Sequence, residues 1–281
     1  MTLFQAIILG IVQGLTEFLP ISSTAHIRIV PAFLGWHFYG GTTNDPGASF
    51  TAIVQLGTTI AVVLYFWREL LHVTLAWFRG LYDRSVRGTL EYKLGWYLIL
   101  ATIPVGVFGL IFSDQIETGA RNLWLIGCTL IALAGFLYAA EKVGRRDRDE
   151  EQINTTDAGV VGAAQALALI PGASRSGTTI TAGLFRGLDR EAAARFSFLL
   201  SIPAVVLSGA FEAVHHTKGH SPGAGLIGVA VLFAFVVGLA SIHWLMRWLT
   251  HHTTFIFIYY RLALGVLVLV LLSTGTLQAT K

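Results

Sequence analysis

Glu17 lies in an otherwise apolar run, with Gln13 four residues before it and Ser22, Ser23, Thr24 and His26 close behind. A carboxylate, hydroxyls and an imidazole are the groups that hold metal ions, take up phosphate oxygens and move protons. The four-residue spacing places Gln13 and Glu17 on one helical face, and Gly10 and Gly14 beside them permit close approach of another helix. A carboxylate near mid-membrane costs about 3 kcal/mol on insertion scales and is a functional candidate by default. The alternative is a helix-end acid reaching the interface. Pro20 breaks the helix, because proline lacks an amide hydrogen and clashes with the preceding turn. Ser22, Ser23 and Thr24 then open a second helix, where such side chains cap free amides and the N-terminus attracts anions. His26 stands one turn from Ser22 and Ser23, so its ring is expected within reach of either hydroxyl.

A second cluster repeats the order of glutamine, apolar residues, proline and hydroxyls: Gln165, Pro171, then Ser174-Arg175-Ser176-Gly177-Thr178-Thr179. Arg175 adds a planar donor fork that matches phosphate oxygens; pairing with Glu17 is its structural alternative. Thr179 shares the face of Arg175, which continues through Gly183 and Gly187. One break is acidic and the other basic. Together they suit a divalent cation and a phosphate group, since Mg²⁺ commonly takes one or two carboxylates plus substrate phosphates and water. Gln55 and Arg261 lie within apolar runs, from which they could support such a site from behind or serve structure alone. The loop His215–His220 reads as exposed and polar rather than as a metal site. No Walker, His-Glu-x-x-His, GxSxG or Rossmann pattern occurs.

What must position these residues is a membrane fold. Of 281 residues, 54% are hydrophobic and 12% charged, with a mean hydropathy of +0.67, whereas soluble domains carry about 25% charged residues. Several runs reach the roughly 20 apolar residues of a spanning helix, and the alternating segments of a transmembrane barrel are absent. The chain reads as an all-α polytopic membrane protein. Segments 2–18 and 24–35 around the first break, and 159–170 and 177–188 around the second, are too short to cross. They predict two re-entrant hairpins, tolerated at depth only inside protein or beside a wet cavity.

Six spans complete the chain: Ala48–Trp67 (its helix continuing toward Trp77), Leu94–Phe112 bent at Pro104, Leu123–Ala140, Ala192–Ala213 capped by Asp189, Ala224–Trp248 and Phe255–Ser273. Hairpin 2–35 and three spans form a first repeat over 1–141; hairpin 159–188 and three more form a second over 152–275. Three is odd, so the second repeat is inverted, an architecture with its site at the repeat interface. The charged tract Glu141–Glu151 reads as a solvated linker. Arg68, Arg79, Arg84, Arg87, Lys93, Lys142, Arg145, Arg146, Arg148, Arg186, Arg190 and Arg247 fall on one side, with Arg121, Lys218 and Lys281 on the other. Positive loops stay cytoplasmic, which turns both termini and the mouth of the first hairpin outward. The net charge of +3 therefore reports topology rather than a nucleic-acid partner. No basic residue precedes Arg28, so the first apolar run reads as mature protein rather than a signal peptide. Cys128, the sole cysteine, excludes an intrachain disulfide and is expected to be a small buried hydrophobe.

At Gln13–His26 and Pro171–Thr179 the sequence resembles the bacitracin-resistance type of undecaprenyl pyrophosphate phosphatase. Gln55-Leu56-Gly57, Phe196–Leu200 and Tyr260-Arg261 are similar too, so the resemblance covers essentially the whole chain. It implies a bacterial plasma (inner) membrane phosphatase that removes one phosphate from the C55 isoprenyl diphosphate carrier. The monophosphate is reused for peptidoglycan precursors, and bacitracin resistance follows because that drug binds the diphosphate. It also implies two re-entrant regions and six spans in an inverted repeat. The family's serine, histidine and arginine candidates match Ser23, His26 and Arg175. Gln13 leaves Glu17 as the only carboxylate where a diacidic form has two, and Ala25 replaces the motif's glycine.

The expected chemistry is metal-assisted phosphoryl transfer in an outward-opening pocket. Glu17, with Gln13, holds Mg²⁺ or Ca²⁺; Ser22, Thr24, Ser174, Arg175, Ser176 and Thr179 bind phosphate. His26 acts as base on Ser23 or on water, or attacks phosphorus itself. The expected partners are the polyprenyl diphosphate lipid and the bilayer, with a homodimer as one possible assembly and no nucleic acid. A transporter or flippase of an anionic lipid head group is the alternative, because broken helices in inverted repeats are common among transporters.

Overall fold

In the computed structural model, residues 1–38, 44–113, 115, 122–215 and 223–279 are described, and among them every regular element is helical. In chain order these are α1 (Leu3–Phe18), α2 (Ser23–Phe33), α3 (Ala48–Tyr65), α4 (Trp67–Tyr82), α5 (Leu90–Ile111) and α6 (Leu123–Val143). There follow α7 (Thr155–Ala166), α8 (Arg175–Phe185), α9 (Arg190–His215), α10 (Ala224–His251) and α11 (Phe255–Ser273). Among the described residues, five helices are long and apolar enough to cross a membrane: α5, α6, the Arg190–Ser208 part of α9, α10 and α11; α3 and α4 pass that test only together, as a pair bent by 76°. The protein is an all-α polytopic membrane protein.

Two helix–break–helix units stand apart from these spans. α1 opens with a capping box: the Thr2 hydroxyl accepts from the Gln5 amide, and the Gln5 side chain accepts from the Thr2 amide. It stops where Leu19 turns extended ahead of Pro20. α1 and α2 have 16 and 11 residues, about 24 and about 17 Å at 1.5 Å per residue. Each is shorter than the roughly 30 Å hydrocarbon core. α7 and α8 form the corresponding unit, with 12 and 11 residues.

Each unit's first helix packs across the molecule rather than within its own half. α1 lies along α10, and α7 lies along α5. Glycine makes the first contact possible: a Cβ on Gly10 would fall 2.4 Å from the Ala230 carbonyl oxygen, and one on Gly14 2.8 Å from the Gly238 nitrogen. At the inner end of α1, the Phe18 ring meets Phe198 of α9 edge-on at 5.4 Å. The tip of the first break is thereby fixed against the second half.

Three expectations change. The helix expected to run on toward Trp77 breaks at Phe66, and α4 leaves α3 at 76°, although no proline or glycine marks the place. Cys128 is exposed, sharing the outer face of α6 with Trp124 and Leu125. The Glu141–Glu151 tract is only partly solvated. Glu141 is buried and paired with Arg146 and Arg190, while Arg148 bridges buried Asp157 at 2.5 Å and the Arg186 carbonyl at 2.9 Å. These pairs fasten the linker to α7, α8 and α9. Asp189 does cap α9, accepting from the Ala192 amide at 2.7 Å. The loop at His216–His220 and the cations Arg121, Lys218 and Lys281 lie outside the described residues.

Candidate active site

Both breaks are built in the same way. Ser22 and Ser174 are the N-caps of α2 and α8, and both hold positive φ, 76° and 71°. Non-glycine residues adopt such angles at a cost of about 1–3 kcal/mol, and only when their surroundings over-determine them. Each cap hydroxyl accepts from the amide three residues on, Ala25 at 3.4 Å and Gly177 at 3.1 Å. Gln13 and Gln165 each stand nine residues before their cap serine. On that alignment Ser23 corresponds to Arg175, and Glu17 to Leu169.

Arg261 holds the two breaks together. Fully buried on α11, its guanidinium donates to the carbonyls of Pro20 at 3.0 Å, Gly172 at 2.9 Å and Ala173 at 3.1 Å. Its Nε donates to Leu130 of α6 at 3.3 Å. The expected supporting role thus has a definite form, a contact with backbone carbonyls of both breaks. Removing the side chain would strand several buried acceptors at about 1–3 kcal/mol each. Arg261→Ala is accordingly expected to lower stability by more than about 3 kcal/mol, read as thermal unfolding in detergent. Arg261→Lys should recover part of it, because an ammonium retains charge but not the fork.

Glu17 is where the halves meet. Its Oε1 accepts from Gln55 Nε2 at 2.8 Å and from Arg175 Nη2. Its Oε2 accepts from Gln13 Nε2 at 2.8 Å and from Ser23 Oγ at 2.6 Å. The alternative of an acid reaching the interface does not describe this buried, four-donor carboxylate. Gln55, expected behind the site, touches it directly. Arg175 makes the cross-break ion pair and also reaches the Ser201 carbonyl at 3.5 Å.

A cavity of about 270 Å³ opens over this group, lined on its polar side by Glu17, Ser22, Ser23, Thr24, Gln55, Ser174 and Arg175. Val105, Ile126, Leu169 and Ala204 form an apolar wall. The first turns of α2 and α8 both border it. Among the described residues the amides of Ser23, Thr24, Arg175 and Ser176 have no hydrogen-bond acceptor, as expected at helix starts, where the macrodipole favours an anion.

Three expected residues stand behind the wall. The His26 ring does not reach the Ser23 hydroxyl. Its Nδ1 lies 2.7 Å from the Ser22 carbonyl oxygen and its Nε2 2.6 Å from the Tyr260 hydroxyl, with the two rings stacked at 5.6 Å. A carbonyl only accepts, so Nδ1 carries the proton and Nε2 accepts from tyrosine. The ring thereby secures the strained Ser22. Ser176 donates to the Leu19 carbonyl at 3.0 Å, tying the second break to the first, and Thr179 pairs with Ser197 of α9 at 2.6 Å.

One wall residue was missed. Arg28 is buried and lines the cavity, donating to Asn44 at 2.8 Å with Asp45 at 3.7 Å. The available signal was its position four residues after Thr24, on the same helical face.

The donor set suits a hard divalent ion. Gln13 Oε1 is buried with no hydrogen-bond partner among the described residues, beside the one carboxylate of the site. No group of three His, Cys, Asp or Glu side chains that could cage a metal occurs among the described residues.

A family model described as bacitracin resistance protein BacA matches residues 6–267. The chain is similar to the undecaprenyl-diphosphatase of Mycobacterium ulcerans (strain Agy99), 50% identical over 284 residues that cover 100% of both chains. The undecaprenyl-diphosphatases of Mycobacterium tuberculosis (strain ATCC 25618 / H37Rv) and Mycobacterium leprae (strain TN) are also 50% identical over 284 residues, covering 100% of this chain and 98% of theirs.

Proposed function

The chain belongs to the bacitracin-resistance family described by that model, and we propose that its phosphatase chemistry runs in the cavity between the two breaks. The protein is an undecaprenyl-diphosphatase of the bacterial membrane, hydrolysing the diphosphate to undecaprenyl phosphate and inorganic phosphate. That reaction returns the lipid carrier to peptidoglycan synthesis and accounts for bacitracin resistance. The observation that carries the assignment of the site is the Glu17 carboxylate bound by Arg175 across the two breaks, on the floor of a cavity flanked by two helix starts.

The terminal phosphate competes with Glu17 for the Arg175 fork and takes up the free amides of α2 and α8. Electrostatic placement of this kind carries most of phosphoryl-transfer catalysis. Ser23 Oγ, which already donates to Glu17, attacks phosphorus; its proton passes to Glu17, the anhydride P–O bond breaks and undecaprenyl phosphate leaves. Water then attacks the phosphoserine, Glu17 returns the proton to Ser23 Oγ, and inorganic phosphate departs. His26 is a positioning residue for Ser22, and Arg28 binds the lipid-side phosphate. A Mg²⁺ or Ca²⁺ ion held by Glu17 and the Gln13 amide oxygen would neutralise charge on the diphosphate. The apolar wall leads the prenyl tail toward lipid.

Two finer points belong to the same reading. The reciprocal packing of α1 on α10 and α7 on α5 supports inverted repeats over 1–141 and 152–275. Ion pairs of Arg195 with Glu69 and Glu150, and of Arg190 with Glu141, gather the basic ends of α4, α6 and α9 on one face, which supports a cavity opening to the periplasmic side. Purified protein given a polyprenyl diphosphate is expected to release phosphate with Mg²⁺ or Ca²⁺ and to stop on chelation. Undiminished release after chelation would remove the ion from the scheme.

A further inference from the structure

α4 turns through 76° from α3, so beside a membrane-crossing partner it runs close to the membrane plane. Its surface divides into three arcs. Trp77 and Gly80 pack on α5, against Gly95 and the Tyr92 ring. Leu71, Leu75, Phe78 and Tyr82 form a second arc that is wholly exposed. Arg68, His72 and Arg79 form the third, also exposed and on one side of the apolar arc. Neither Arg68 nor Arg79 makes an ion pair among the described residues; Arg68 lies over the Trp67 ring at 5.4 Å. At the elbow with α3 a cavity of about 380 Å³ is lined by Tyr65, Phe66, Trp67, Arg68, Glu69 and Arg195; Glu69 is paired with Arg195 at 2.9 Å, which leaves Arg68 as the cation without an ion pair there among the described residues.

We propose that α4 is an in-plane helix that binds anionic phospholipid. The apolar arc enters the acyl boundary, the basic arc pairs with head-group phosphates, and the elbow cavity seats the head group nearest Arg68. Basic amphipathic helices bind membranes through this combination of buried apolar area and attraction to anionic lipid. The charge pattern argues against a second copy on this face, because a symmetric contact would bring the same unpaired cations together. It also sets the lipid class, since a zwitterionic head group offers no net charge to Arg68 and Arg79.

The test uses the full chain, reconstituted in vesicles of phosphatidylcholine alone or with phosphatidylglycerol. A fluorophore at Leu75→Cys, in a Cys128→Ser background, should be quenched by acyl-brominated lipid. Phosphatidylglycerol retained after detergent extraction, counted by mass spectrometry, should fall about tenfold in Arg68→Gln/Arg79→Gln and be kept in Arg68→Lys/Arg79→Lys. Phosphate release in detergent should be the same in all three, which also reports correct folding. Equal retention in the wild type and the glutamine variant would overturn the proposal. So would disulfide-linked pairs through unlabelled Leu75→Cys, which would show a second copy covering the arc.

Discussion

Arg175→Ala is expected to release phosphate from a polyprenyl diphosphate at least ~10³-fold more slowly than the wild type, the scale on which arginines act on a transferring phosphoryl group. The size of the effect follows from position. Arg175 is the guanidinium that meets the Glu17 carboxylate from the opposite break, and it does so at the cavity wall. The substitution has a structural component as well, because breaking a buried pair from one side costs about 3–5 kcal/mol. Thermal unfolding should therefore accompany the rate. Arg175→Lys separates the two contributions: it keeps a cation for Glu17 but lacks the planar fork. It is expected to recover stability more fully than turnover. Recovery of both to wild-type levels would assign Arg175 to structure alone.

Ser23→Ala should be as damaging to turnover and nearly silent in stability. Ser23 is partly exposed to the cavity and gives Glu17 only one of four hydrogen bonds. Rapid acid quench of the wild type with substrate labelled in the terminal phosphate should leave a labelled protein, and Ser23→Ala should leave none. Label retained in the alanine variant would place the attacking atom elsewhere. The neighbouring His26 provides a contrast, since its Nδ1 engages the Ser22 carbonyl. His26→Asn can restore that donation from a shorter side chain and is expected to keep more turnover than His26→Ala. Equal loss in the two variants would contradict a positioning role.

The breaks were legible in the sequence because proline and hydroxyl clusters have local consequences. Pro20 and Pro171 interrupt apolar runs, and a serine caps the helix after each interruption, so the Glu17 and Arg175 segments could be placed before any contact was known. The membrane class and most helix extents came from apolar run length, as α6 and α11 show. What escaped depended on tertiary packing or on side-chain direction. The α3–α4 elbow falls in Tyr65-Phe66-Trp67, where nothing local forbids a continuing helix; Phe66 bends there while packed in the core with Phe18 and Phe198. His26 was within a turn of Ser23 in spacing, but its ring turns back to the Ser22 carbonyl and Tyr260. The supporting role of Arg261 had no readable form because its partners are backbone carbonyls from three distant segments, which carry no sequence signature. Cys128 illustrates the inverse limit: in a membrane protein an apolar run does not distinguish the lipid-facing side from the core.

The central claim is that the two breaks form one site around Glu17. Phosphate release by Glu17→Gln, Arg175→Gln and the double variant, each checked for thermal stability, tests it most directly. Groups acting as a unit are not additive. Each single variant should therefore lose nearly all activity, and the double variant should be no slower than the worse of the two. Losses that multiply, or near-normal turnover in either single variant, would contradict a shared site.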